Sequence, residues 1–134
     1  MHARLFIFLV SALAAPPAMA LDACLADSAG AWRGPVWNGA GLQTMDTTFQ
    51  VGSDGILIGR YHIHDFVPFD GTLTELRRTG DCEADFVWHD RDGTGVVHIR
   101  FEPQLGRFLG RWGTHQPLPD LEFNGYRTGP PPIS

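Results

Sequence analysis

The sequence predicts an all-β fold, a single small antiparallel up-and-down β-barrel of about eight strands, on three observations. Its apolar residues fall in short alternating runs bounded by Gly- and Pro-containing turns, and no window after the N-terminal segment holds a helical period. Two phrases, Asp54-Gly-Ile-Leu-Ile-Gly-Arg-Tyr61 and Gly106-Arg-Phe-Leu-Gly-Arg-Trp-Gly113, share one composition: a turn, a strand, a glycine within it and an aromatic. Asp92-Gly93 between two alternating runs is a strong hairpin signal. Closing such a meander removes open sheet edges, which would otherwise template pairing with other chains.

The first segment, residues 1–20, reads as a signal peptide. It has a basic start (His2, Arg4), an apolar stretch from Leu5 to Ala15, and small residues at Ala18 and Ala20. The apolar stretch is shorter than the ~20 residues that span a bilayer, and no later segment approaches it, so no transmembrane segment is expected. Setting 1–20 aside leaves 114 of the 134 residues. They are expected to form one β-barrel domain over 21–128 with a Pro-rich tail at 129–134, and the expected location is periplasmic or secreted. The tail's Gly129-Pro-Pro-Pro132 cannot extend a ladder.

Within the domain, residues 22–30 suit one helical turn. Strands are expected over 31–36, 44–51, 55–66, 71–79, 84–90, 96–102, 107–114 and 121–126. Pairing outward from Asp92-Gly93 sets Trp88 opposite Val97, Phe86 opposite Ile99 and Ala84 opposite Phe101, all apolar and on one face. The other face carries Asp85, Val87 and His89 against Val96, His98 and Arg100. A one-residue slip would mix the two sets, which specifies the buried face. The same alternation turns Leu57, Gly59, Tyr61 and Ile63 inward, and likewise Phe108, Gly110 and Trp112. Interior glycines suit a narrow barrel where a large neighbour needs space.

Two cysteines, Cys24 and Cys82, form an even pair, and in an oxidising compartment such a pair reads as one disulfide. Closing so long a loop is worth roughly 4 kcal/mol on chain-entropy grounds. A rival reading takes Leu21-Asp-Ala-Cys24 as a lipoprotein cleavage box with a lipid anchor on Cys24. Asp22 fits that box poorly, the cysteine lies well beyond the apolar run, and Cys82 would lose its partner. The net charge is −5 and all ten basic residues are arginine. An acidic domain without a basic run argues against nucleic-acid binding, and the lack of lysine removes Schiff-base chemistry.

Gly30-Ala-Trp32, followed by Asp54-Gly-Ile-Leu-Ile-Gly-Arg-Tyr61, resembles the opening hairpins of avidin-like and lipocalin-like (calycin) barrels. Those families are similar in placing a Gly-x-Trp on the first strand and in holding small ligands in the barrel mouth. The resemblance covers about a third of the domain. It implies a closed barrel and leaves the ligand open.

Three constellations bear on chemistry. His62-Ile-His64 projects two imidazoles from one face of a strand, close enough to share a zinc ion. With the following turn at 68–71, Glu75 would stand opposite His64 and complete a metal triad. Against this, an inward Tyr61 and Ile63 turn His62 and His64 to the exterior beside Arg60, where solvated histidines are the plainer reading. His89 and His98 are expected as diagonal neighbours on the outer face, and His115 sits in a loop without an anchor. Asp90-Arg-Asp-Gly93 lacks the later ligands of a calcium loop and reads as a turn.

The aromatic residues Trp37, Tyr61, Trp88 and Trp112 are the candidate ligand-binding set. Trp88 and Trp112 suit core packing as well, and Trp37 lies in a loop-like stretch at the mouth. Ser28, Ser53 and Ser134, the serines beyond the signal peptide, lack a nucleophile-elbow setting. Paired buried carboxylates and phosphate-cradling loops are also missing, so no catalytic residue is assigned. The sequence favours a non-catalytic binding protein with a small ligand in the mouth or a protein partner on its loops. The alternatives are a metal-binding protein and a small enzyme without a recognisable motif.

Overall fold

The computed structural model describes residues 22–113 and 121–129, so the signal peptide expected at 1–20, His115, Ser134 and most of the Pro-rich tail lie outside the described residues. A short helix α1 (Ala23–Asp27) leads into β1 (Gly30–Trp37), β2 (Leu42–Val51), β3 (Leu57–His64) and β4 (Phe69–Gly80). Then follow β5 (Glu83–Asp90), β6 (Gly93–Glu102), β7 (Arg107–Gly113), β8 (Leu121–Glu122) and β9 (Gly125–Arg127). Each strand from β1 to β7 pairs antiparallel with the next, and β9 pairs with both β7 and β1. The sheet therefore closes into an antiparallel eight-strand barrel, as expected.

The eighth staff of the barrel is one strand in two pieces. Trp112↔Leu121 and Phe108↔Gly125 keep a single register against β7, and Phe123 bridges to Val36 between them. At the break the backbone passes close to two glycines. A Cβ on Gly34 would stand 2.4 Å from the Asn124 carbonyl oxygen, and one on Gly110 2.3 Å from that of Phe123. Asn124 repairs the ladder by accepting the Gly110 N–H on its side chain at 3.1 Å.

The β5–β6 hairpin differs from expectation by two residues. Phe86 pairs with Val97, Ala84 with Ile99 and Trp88 with Gly95. The Asp90 carboxylate accepts the Asp92 N–H at 2.8 Å, and Gly93 takes φ 131°, so the turn falls on Arg91-Asp92. Because side chains alternate with period two, the slip keeps every residue on its expected face. It does separate His89, opposite Thr94, from His98, opposite Asp85, so the expected neighbour pair is not formed.

The lower half of the barrel is solid. Trp32, Phe49, Phe86, Phe101 and Phe108 are buried, with neighbouring ring centroids 5.2–6.1 Å apart, several edge to face. Helix α1 plugs this end with Leu25, and the Trp32 indole donates to the Ser28 carbonyl at 3.1 Å. Arg127 lies 4.2 Å over the Trp32 ring and donates to the Ala29 and Asp27 carbonyls, tying the last strand to the helix. The expected Cys24–Cys82 disulfide joins α1 to the β4–β5 turn. Beside it, Asp22 accepts the backbone N–H groups of both cysteines. The Cys82 and Cys24 N–H groups, with Arg78, hold its carboxyl below the ordinary range.

Candidate functional site

The inward rings are large because facing glycines make room for them. Tyr61 lies across Gly71, its strand partner, and Trp88 lies across Gly95. These pairs sit in the upper half of the barrel, where polar anchors at the rim hold the rings against the walls. The Tyr61 hydroxyl donates to an Asp90 carboxylate oxygen at 2.6 Å. The Trp88 indole donates to the Gly113 carbonyl at 3.2 Å and the Trp112 indole to the Trp37 carbonyl at 2.8 Å. Trp88 and Trp112 pack edge to face at 5.4 Å. Rings anchored in this way cannot collapse toward the axis, and a cavity of about 240 Å³ remains between them.

All four expected aromatics, Trp37, Tyr61, Trp88 and Trp112, line this cavity. The sequence reading missed Val36, Ile63, Phe69 and Phe123 on its apolar wall, together with Asn38, Asp90 and Asp92 on its polar rim. A signal existed for Phe69, which alternates with the inward Gly71 and Leu73. None existed for Asp90 as the anchor of Tyr61, since 29 residues separate them. Burial, with the adjoining Asp90 carboxylate, pushes the Tyr61 phenol far above its ordinary value, so it stays a neutral donor.

Among the described residues the rim is made by the β1–β2, β3–β4 and β5–β6 turns. The Asn38 amide donates to Asp65 at 3.0 Å, linking the first two. Arg91 links the next two by donating to the Val67 carbonyl at 3.0 Å while stacking 3.9 Å over Phe69. Beyond these ties, Phe66 stands 99% exposed and Val67 58% exposed at the loop tip.

His62 and His64 lie on the barrel exterior with ring centroids 4.7 Å apart. Each engages a carboxylate: His62 Nδ1 lies 2.7 Å from Asp70, and His64 Nε2 lies 2.6 Å from Asp46. Glu75 is not brought to them. The β3–β4 turn occupies residues 65–68 rather than 68–71, so Asp70 becomes the partner of His62. Glu75 lies further along β4, with φ 55°, in a bulge between Thr74 and Arg77. Among the described residues, no group of three or more His, Cys, Asp or Glu side chains is arranged to hold a metal ion. Asp46 also takes both guanidinium contacts of Arg33, at 2.6 and 3.2 Å. The Arg33 hydrogen bond, with a smaller contribution from His64, holds the Asp46 carboxyl down to about 2.

Among the described residues no helix is long and apolar enough to cross a membrane. In comparisons with known proteins the chain matches no family model, no curated protein and no solved structure.

Proposed function

We propose that this protein is an exported, calycin-like barrel, periplasmic or secreted, that binds a small apolar or aromatic-accommodating ligand in its mouth and performs no catalysis. The observation that carries the reading is the aromatic-walled cavity above a solid lower core. Preformed concave sites with apolar walls and a few placed polar groups are the usual form of small-ligand sites. The disulfide supports an oxidising compartment. Native mass spectrometry of the protein purified from its own source tests the proposal. A small molecule retained by the folded protein and released on denaturation is expected. An empty folded protein that also fails to take up any small apolar probe would overturn it.

A second reading, a protein partner on the loops, draws on Phe66 and Val67. Together they place adjacent exposed apolar side chains at the rim tip, where a partner could cover them. Phe66→Asp separates the readings, because it would abolish partner capture and leave small-molecule retention intact.

A further inference from the structure

We infer that the cavity takes a small organic cation, an amine or quaternary ammonium compound, held between aromatic faces and a rim of two carboxylates. The inference rests on the proposed ligand-binding role and adds the chemical class of the ligand.

Six aromatic side chains line the space: Trp37, Tyr61, Phe69, Trp88, Trp112 and Phe123. Among the described lining residues the charged side chains are Asp90 and Asp92, both acidic. At ~30 Å³ per water, 240 Å³ holds about eight waters. A charged group inside so narrow a space lies within ring-contact distance of several walls at once. Aromatic faces carry negative quadrupole density and attract a cation within about 6 Å of a ring centroid, most strongly when water is excluded.

Donor occupancy points the same way. The Tyr61 hydroxyl is committed to Asp90, and the Trp88 and Trp112 indoles are committed to backbone carbonyls. Asn38 donates to Asp65. Among the described residues an anionic ligand would thus meet two carboxylates and no charged donor, whereas a cation meets acceptors and ring faces.

Arg91 does not take this place. It lies in a groove on the barrel exterior that Asp90 and Arg60 also border, held by the Val67 carbonyl and the Phe69 ring, at 3.7 Å from Asp65 and 3.9 Å from Asp92. Asp90 accepts from a neutral phenol and from a backbone N–H. Among the described residues it has no cationic side chain within ion-pair distance. A ligand cation in the cavity would meet this carboxylate without displacing a protein cation from it.

Three probes of one size and shape test the assignment on the disulfide-intact protein: choline, its carbon isostere neohexanol, and the carboxylate of tert-butylacetic acid. Binding is read by tryptophan fluorescence and by titration calorimetry. Choline is expected to bind about tenfold more tightly than neohexanol, the scale of a desolvated cation–π contact, with the carboxylate weakest. Asp92→Asn, on a side chain that is 63% exposed, is expected to narrow that preference several-fold. Asp90→Asn removes the other rim charge together with the charged acceptor of the Tyr61 hydroxyl, so near-ultraviolet circular dichroism checks that its aromatic wall is retained.

Equal or tighter binding of neohexanol overturns the cation assignment while leaving the binding site standing. A choline preference that survives both substitutions also overturns it. If none of the three probes binds at millimolar concentration, the cation assignment falls, and the proposed function falls with it only if native mass spectrometry also finds no retained small molecule.

Discussion

Replacing Gly71 with alanine is a direct test of how the cavity is built. A Cβ at this position would stand 2.1 Å from Cζ, 2.3 Å from Oη and 2.4 Å from Cε2 of Tyr61. All three contacts fall on the far end of a rigid ring, which is anchored by its hydrogen bond to Asp90 and by edge-to-face packing on Phe123 at 5.6 Å. The ring must therefore leave its place. Losing a hydrogen bond to a charged acceptor costs about 1.5–3 kcal/mol, and forcing extra volume into a packed wall costs about 1–3 kcal/mol. Removing glycine's freedom in the unfolded chain returns about 0.4–1 kcal/mol. The expected net loss is about 3 kcal/mol, a large share of the ~5–15 kcal/mol stability of a domain. Urea unfolding followed by tryptophan fluorescence measures it, as a lower midpoint at unchanged slope. In a Tyr61→Ala background the clash has no partner, so a double-mutant cycle should give a coupling of at least about 2 kcal/mol. Gly41 is the control, having open space around its Cβ position and no positive φ; Gly41→Ala should change stability by less than about 0.5 kcal/mol. If Gly71→Ala costs no more than that control, or costs the same with and without Tyr61, the ring does not lie over Gly71 and the account of the cavity is wrong.

Two further outcomes follow from the fold. Reducing the Cys24–Cys82 bridge, whose cysteines are 58 residues apart in sequence, should lower stability by about 4 kcal/mol. That value is measured from urea midpoints with and without reductant, and two reactive thiols in oxidised, denatured protein would contradict the bridge. Asp46, lowered to about 2 mainly by Arg33, contributes stability above its unfolded value near 4 and loses it as pH falls toward 2. Because its side chain is 36% exposed, screening keeps the effect below about 1 kcal/mol. In acid titrations monitored by circular dichroism, Asp46→Asn should flatten the loss between pH 4 and pH 2, and an unchanged slope would refute the linkage.

The parts of the site legible in the sequence were those that depend on alternation. Tyr61, Trp88 and Trp112 were turned inward because inward and outward positions follow from neighbours in the same strand, whereas Trp37 was placed at the mouth from its loop-like surroundings. Glu75 was misplaced because its partnership with His64 depended on where a turn began. A shift of that turn from 68–71 to 65–68 set Asp70 opposite His62 and moved Glu75 away from His64. The β5–β6 slip did no such harm to the core, since it moved the strand by two residues and kept its faces.

The sequence by itself determined the fold class, the inward residues and the cysteine pairing, because a strand's two-residue period and an even cysteine count are local or compositional facts. The tertiary structure decided that the barrel is filled below and open above. It also decided that Asp90 anchors Tyr61 and that His62 and His64 engage aspartates rather than each other's missing third ligand. These depend on which residues meet across paired strands and rim turns, and on how much volume their rings leave unfilled. Register, turn position and packing fix such meetings only when the sheet closes.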